Sequence, residues 1–137
     1  MHYGMLIDLK RCIGCHNCAV TCKNANNLPA DVWWNEVRTD GGIYPDTPEG
    51  TYPNLTMEFV PVGCQHCENA PCVEVCPTGA TVKREDGIVV VDNETCIGCE
   101  SCIQACPYDV RTLIAEEPRF YFDFALGDYD APTHKIH

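Results

Sequence analysis

The sequence lacks a long apolar run and is poor in basic residues. No stretch approaches the roughly 20 apolar residues that a membrane-spanning helix needs, so we expect no direct insertion into a membrane. Lysine and arginine number 9 against 20 aspartates and glutamates, which gives a formal net charge of −11. Because nucleic-acid binding relies on a basic surface, this composition argues against a nucleic-acid partner.

The sequence also lacks the patterns of several enzyme classes and of a secretory leader. It has no phosphate-binding loop, no Ser/His/Asp constellation and no paired-carboxylate pattern, and the pair Gly41-Gly42 lacks the spacing of a nucleotide motif. Residues 1–5 have neither a charged start nor a long apolar stretch, so we expect no signal peptide. We therefore expect a chain without a catalytic site of its own.

Cysteine, by contrast, is abundant, at 12 of 137 residues. Such a content demands an explanation. A disulfide framework would need an oxidising compartment, and a structural zinc module would use two Cys-x2-Cys pairs per ion. Iron–sulfur ligation accounts for the spacing of every cysteine group, so we adopt it and keep the structural zinc module as an alternative.

The cysteines fall into three groups of four. The first and third groups are spaced C-x2-C-x2-C-x3-C, and the second has two extra residues between its second and third cysteines. Proline follows the last cysteine of the second and third groups, whereas Lys23 follows that of the first. The groups are Cys12, Cys15, Cys18 and Cys22; Cys64, Cys67, Cys72 and Cys76; and Cys96, Cys99, Cys102 and Cys106.

The second and third groups have the spacing of two-cluster bacterial ferredoxins. In that pattern the first three cysteines of a group bind one [4Fe–4S] cluster, and the fourth binds the cluster of the other group. Glycine within such a loop, as at Gly98, lets the backbone adopt positive φ and approach the cluster closely. The pattern predicts one cluster on Cys64, Cys67, Cys72 and Cys106, and a second on Cys96, Cys99, Cys102 and Cys76.

Apolar alternation and turn residues predict short elements between the cysteine groups. An Asp-Gly pair at 86–87 lies between two β-rich runs, which is typical of a hairpin. The expected elements are a strand at 3–9, a helix at 19–27, strands at 32–38 and 56–60 on either side of a loop at 40–53, a hairpin at 78–92 and an extended segment at 108–114.

The fold class that we expect is α+β, a ferredoxin-like dicluster core with short strands and helices around [4Fe–4S] clusters. We divide the chain into an N-terminal cluster loop with a cysteine-free insert (1–62), a central dicluster domain (63–114) and an acidic aromatic tail (115–137). Because metal binding supplies folding energy in such small domains, we expect the chain without iron and sulfide to be largely unfolded.

Four residues near the cysteines have other expected roles. Trp33 and Trp34 are interpreted as packing over the cluster loops, with docking of a partner as the alternative, because aromatic residues are enriched at interface hot spots. His16 and His66 lie inside cluster loops. Each group already has its cysteines, so we do not assign either histidine as an iron ligand.

Several stretches resemble the iron–sulfur electron-transfer subunits of the dimethyl-sulfoxide-reductase family of molybdopterin oxidoreductases. They are residues 7–15, 60–67, 70–80 and 92–108, and the resemblance extends over residues 3 to about 114. It implies a non-catalytic subunit of anaerobic respiration that relays single electrons between a molybdopterin-containing catalytic subunit and a quinone-linked membrane anchor or other redox partner. Membrane association would then come through partners, on either the cytoplasmic or the periplasmic side.

The chain departs from that family in its cysteine count. Family members have a fourth cysteine group downstream that pairs with the first, and this sequence stops at His137 without it. By analogy, Cys12, Cys15 and Cys18 would bind a further cluster with a ligand from the fourth group, and Cys22 would serve another. We expect a fragment of a longer protein, and a shortened relative with a three-iron or incompletely ligated cluster is the alternative. A free-standing soluble ferredoxin is the alternative function.

Overall fold

The computed structural model describes residues 1–26, 28–40 and 46–114. In that part of the chain, the strands form three antiparallel pairs, β1 with β4, β2 with β3 and β5 with β6. No helix there is long and apolar enough to cross a membrane. In chain order the elements are a 3-10 turn at Leu9–Arg11, α1 (Asn17–Ala25), β1 (Asn35–Thr39), β2 (Glu49–Thr51), β3 (Asn54–Thr56), β4 (Phe59–Gly63), α2 (Pro71–Glu74), β5 (Thr81–Lys83), β6 (Val89–Val91) and α3 (Ser101–Gln104).

The helices differ in length because of the residue that follows each cysteine group. α2 and α3 have four residues each and are followed by Cys76-Pro77 and Cys106-Pro107. Proline disfavours the helical conformation of the residue before it, so both helices end at once. Lys23 occupies the corresponding position of the first group, and α1 continues to Ala25, for nine residues in all.

Lys23 also stabilises the chain segment that follows α1. Its ammonium donates hydrogen bonds to the carbonyls of Pro29, Ala30 and Val32 at 2.5, 2.9 and 2.8 Å. The same nitrogen lies 4.2 Å from the centroid of the Trp33 ring, a cation–π distance. The residue that departs from the proline pattern therefore fixes the turn between α1 and β1.

The apolar core is small, and cysteines form much of it. The larger cluster of buried residues consists of Ala70, Cys72, Ala80, Val89, Cys96 and Cys102, so three of its six members are cysteines. A second cluster consists of Leu28, Val32 and Ile114, with Trp34 packed against it. Since side chains alone bury little apolar surface here, metal binding at the cysteines is a physically reasonable source of folding energy.

The structure confirms part of the predicted local structure. The hairpin is present as β5 and β6, with Gly87 at φ +86° in its turn. The helix is present as α1, two residues earlier at each end than predicted. The strands at 32–38 and 56–60 are shifted by about three residues, to β1 and β4, which pair with each other.

Two local predictions were wrong. Residues 3–9 form no strand: Tyr3 donates a backbone hydrogen bond to Asp86, and the chain then enters the 3-10 turn at Leu9. The predicted loop at 40–53 contains β2 near its end. Residues 108–114, predicted as an extended segment, contain a β-bridge at Leu113 and join none of the three sheets. The tail at 115–137 lies outside the described residues.

The second position after the first cysteine of each group has a left-handed backbone. Gly14 and Gly98 have φ of +67° and +69°, and His66 occupies the matching position at +45°. The ring of Phe59, the first residue of β4, lies directly against Gly14. The first cysteine loop therefore packs on the β1–β4 pair, which leads directly into the second loop at Cys64.

We predict that Gly14→Ala destabilises the chain more than Gly98→Ala. Both substitutions place alanine in the left-handed region, at a cost of about 1 kcal/mol each. A Cβ at Gly14 would overlap the Phe59 ring, whereas a Cβ at Gly98 would meet Leu113 Cδ1 at 3.7 Å, an ordinary contact. Urea unfolding of the cluster-loaded protein measures the difference.

Phe59→Ala provides the control for that prediction. In the Phe59→Ala background, the loss of stability caused by Gly14→Ala should fall to that of Gly98→Ala. Only the cost of placing alanine in the left-handed region then remains. If Gly14→Ala and Gly98→Ala lower the free energy of unfolding equally in the unchanged background, the contact between Gly14 and Phe59 has no effect on stability, against the prediction.

Candidate metal centres

Four of the eight central cysteines line one cavity. They are Cys64, Cys67, Cys72 and Cys106, and Val89 also lines it. The cavity itself has a volume of about 20 Å³, and the hollow around it, including its opening to solvent, comprises about 330 Å³ free of protein atoms. Cys72 lies in α2 and Cys106 follows α3, so the cavity joins both central cysteine groups. These are the four residues that the ferredoxin pattern assigns to one cluster.

The electrostatics of this cavity also couple the two groups. Burial raises the pKa of Cys72, and the charge of Arg111 opposes that shift. The thiolates of Cys64 and Cys106 raise it further, because like charges repel. A cationic metal centre bound to all of these thiolates would remove the repulsion between them.

The remaining central cysteines are not among the residues that line this cavity. Cys96 and Cys102 are buried, at 9 % and 6 % exposure, and Cys99 is exposed. Hydrogen bonds from Ser101 lower the pKa of Cys99, and Cys76 is close enough for its charge to oppose that shift. The structure therefore brings Cys76, from the second group, next to the third group.

Hydrogen-bond donors favour the thiolate form at this second place. The backbone N–H of Thr81 is the largest cause that lowers the pKa of Cys76 to about 7, and Thr78 and Ala80 add further donors. The side chain of Ser101, 3.5 Å from the sulfur, lowers the pKa of Cys99. Because the thiolate is the form that binds metal, these donors prepare both cysteines for ligation.

The first cysteine group is more open. Cys15 and Cys18 are exposed, and Cys12 and Cys22 are half-buried. Burial raises the pKa of Cys22, whereas the Asn26 amide, 3.6 Å from the sulfur, lowers it. Cys18 and Cys22 are one turn apart on α1. The ligands of this group stay a prediction.

The two loop histidines have protein partners. His66 Nδ1 accepts a hydrogen bond from the Val89 backbone at 3.0 Å and lies 3.8 Å from Cys64 Sγ. It thereby ties the second loop to β6, which explains why a residue other than glycine occupies this left-handed position. His16 Nε2 lies 3.5 Å from Asp46 Oδ1.

Sequence reasoning missed three features that position the loops. Lys83 donates to the carbonyls of Cys67 and Glu68 at 2.9 and 3.0 Å, and so fixes the second loop from β5. Arg111 lines the shared cavity. Neither residue had a signal in its spacing alone.

The third missed feature is a repeated aspartate turn. Asp8 and Asp92 each lie four residues before the first cysteine of a group and accept a hydrogen bond from the backbone N–H two residues later, at 3.1 and 3.0 Å. The Thr95 hydroxyl holds the pKa of Asp92 below its usual range. The repeated spacing Asp-x3-Cys was the signal that could have revealed this turn.

The thiol arrangement fits a cluster better than a single ion. Among residues 1–26, 28–40 and 46–114, no three histidine, cysteine or carboxylate side chains converge closely enough to hold one metal ion. Cys64, Cys67, Cys72 and Cys106 line one cavity instead. Thiolate sulfur is the soft ligand of iron–sulfur clusters. The site thus has the ligand chemistry of an iron–sulfur protein of the two-cluster class.

Comparisons with known proteins identify the family. Two family models, both described as a 4Fe-4S dicluster domain, match residues 11–80 and 55–118. The chain belongs to the 4Fe-4S dicluster family and, within it, to the iron–sulfur subunits of the dimethyl-sulfoxide-reductase type. The [4Fe–4S] cofactor that the sequence predicted is therefore confirmed.

Three relatives illustrate the similarity. A Halobacterium salinarum protein, named as a dimethyl sulfoxide reductase iron–sulfur subunit, is 49 % identical over 93 % of this chain. A tetrathionate reductase subunit of Salmonella typhimurium is 51 % identical over 81 % of it, and the thiosulfate reductase electron transfer subunit PhsB of Salmonella typhi is 46 % identical over 96 %. The chain spans 51 %, 42 % and 68 % of these relatives, or about half their length.

We predict that Cys106→Ala and Cys76→Ala remove different clusters. If the fourth thiolates cross between groups, Cys106→Ala loses the cluster of the Cys64 loop and Cys76→Ala loses that of the Cys96 loop. Iron and acid-labile sulfide analysis, with EPR spectra of the reduced protein, measures each loss.

Cys67→Ala distinguishes crossed from uncrossed ligation. It should abolish the same EPR signal as Cys106→Ala. Loss of the signal that Cys76→Ala abolishes would instead mean that each group binds its own cluster, against the prediction.

We also predict that Lys83→Met loosens the second loop. The substitution keeps the aliphatic stem but removes two hydrogen bonds from a charged donor, worth about 2 kcal/mol together at a partly exposed position. The cluster of the Cys64 loop should then be lost faster to an iron chelator. Lys10→Met, at an exposed lysine of the first loop, is the control. Equal rates of loss in the two variants would contradict a positioning role for Lys83.

Proposed function

We propose that the chain is a non-catalytic electron-transfer subunit of a reductase complex. The observation that carries this proposal is the grouping of Cys64, Cys67 and Cys72 with Cys106 around one cavity. Two-cluster ferredoxins use the same crossed grouping to hold [4Fe–4S] clusters. All three relatives described above are named as subunits of reductases, and two of those names specify an iron–sulfur or electron-transfer subunit.

The residues of the chain would serve to hold and shield the redox centres. When bound, [4Fe–4S] clusters supply one-electron transfer. The central cysteines would bind iron in the two crossed sets, and Cys12, Cys15, Cys18 and Cys22 would serve further clusters if a fourth cysteine group is supplied. Val89 and Ala70 line the shared cavity and limit the access of water. The backbone donors around Cys76 would stabilise the negative charge of the reduced state.

The partners follow from the proposed role. We infer a molybdopterin-containing catalytic subunit on one side of the electron path, and a quinone-linked membrane anchor or other redox partner on the other. The names of the relatives specify different substrates, dimethyl sulfoxide, tetrathionate and thiosulfate, while their matching subunits are alike. The catalytic partner, and not this chain, would therefore select the terminal substrate.

We class the fold as α+β with a ferredoxin-like dicluster core, since helices α2 and α3 pack against each other and β5 pairs with β6 beside them. We also propose the division at residue 62, one residue before β4 ends at Gly63 and the central cysteine loops begin at Cys64. The first loop and the β1–β4 pair would then form one unit, with residues 63–114 as the other.

The proposal is tested on the full chain purified anaerobically with its clusters. We expect iron with equimolar sulfide, and reversible one-electron reduction by dithionite. The chain alone should not reduce dimethyl sulfoxide, tetrathionate or thiosulfate with a reduced dye. Joined to a molybdenum subunit isolated with it from the native host, it should support turnover, which Cys106→Ala abolishes and Lys10→Met leaves unchanged.

Two results would count against the proposal. Zinc without sulfide in the purified chain would favour a structural metal module. Reductase turnover by the chain alone would mean that it carries a catalytic site.

A further inference from the structure

Arg111 is a buried cation beside the central cysteines. The residue is among those that line the cavity shared by Cys64, Cys67, Cys72 and Cys106, and it is only 6 % exposed. An arginine guanidinium keeps its charge in proteins, so a full positive charge lies in the wall of this site.

In the described part of the chain, the Arg111 guanidinium has few hydrogen-bond partners and no ion-pair partner to offset the cost of its burial. Nη2 lies 3.5 Å from the Thr81 hydroxyl, and the buried Nε has no hydrogen-bond partner in the described part of the chain. None of the ion pairs found there includes Arg111, although acidic residues outnumber basic ones by 20 to 9. Because an unpaired buried charge is costly, an anionic partner is needed at this place.

The cysteine site can supply that partner. Four thiolates around a [4Fe–4S] core carry a formal charge of about −2 in the oxidised state. The structure already shows the electrostatic contact, since Arg111 opposes the shift that burial produces in the pKa of Cys72. The buried guanidinium therefore fits a cluster at these four cysteines.

The other central site has different surroundings. Backbone N–H groups and the Thr78 hydroxyl act on Cys76, and the Ser101 hydroxyl and N–H act on Cys99. No lysine or arginine is among the groups that shift the pKa of either thiol. A buried arginine therefore acts on Cys72, whereas hydrogen bonds dominate at Cys76 and Cys99.

We propose that Arg111 is the counter-charge of the iron–sulfur site at Cys64, Cys67, Cys72 and Cys106, and that it raises the reduction potential of this site. Reduction adds one electron from an external donor, so the formal charge of the site goes from about −2 to about −3, with no covalent bond broken and no proton transferred. A fixed positive charge stabilises the more negative form. The inference rests on the proposed function, because it requires a cluster at this site.

The test is a dithionite titration of the cluster-loaded full chain, followed by EPR. Arg111→Met should lower the potential of one cluster, changing its ratio of oxidised to reduced form at least tenfold at fixed potential, or 59 mV for one electron. The affected signal should be the one that Cys106→Ala abolishes. Arg111→Lys, which keeps a positive charge, should stay closer to the unchanged protein. Arg84→Met removes an exposed arginine outside the cavity and should shift neither cluster.

The outcomes separate this inference from the proposed function. An unshifted cluster in Arg111→Met, or an equal shift in Arg84→Met, would overturn the inference alone. If Arg111→Met and Arg111→Gln both lose the cluster, its retention in Arg111→Lys supports the charge pairing, and its loss there too overturns it. Absence of iron and sulfide from the unchanged chain would refute the proposed function itself.

Discussion

The structure depends on bringing thiol groups from distant parts of the chain into contact within a very small core. Three of the six buried residues of the larger apolar cluster are cysteines, so little surface is left for hydrophobic stabilisation. Neighbouring thiolates such as Cys64, Cys72 and Cys106 repel one another. In the proposed ligand sets, iron would remove that repulsion and join residues more than 30 positions apart in sequence, which would make cofactor and fold mutually dependent.

The protein supports the loops from outside with a small set of polar contacts. Aspartates four residues ahead of two groups shape the entry to each loop. Lys83 and His66 then attach the second loop to the β5–β6 hairpin. These contacts involve backbone atoms at one end, so they fix where the chain runs while leaving the cysteine sulfurs available to iron.

Sequence reasoning predicted the features that repeat and missed those that depend on tertiary contact. The cysteine spacing grouped Cys106 with the Cys64 loop, and the structure places them around one cavity. The Asp-Gly pair predicted the β5–β6 hairpin, because that turn chemistry is local. Apolar alternation at 3–9 gave a wrong strand, since no neighbouring strand is there to pair with it. Arg111 had no detectable signal, because its role comes only from what surrounds it after folding.

The short strand β4 connects the first and second cysteine loops directly. Its first residue, Phe59, packs on Gly14, and its last, Gly63, precedes Cys64. Five residues at about 3.3 Å each fix this connection at roughly 16 Å or less. One inserted residue would also turn the rest of the strand to its opposite face. A change of length within β4 would therefore alter the separation of the first and second cysteine loops.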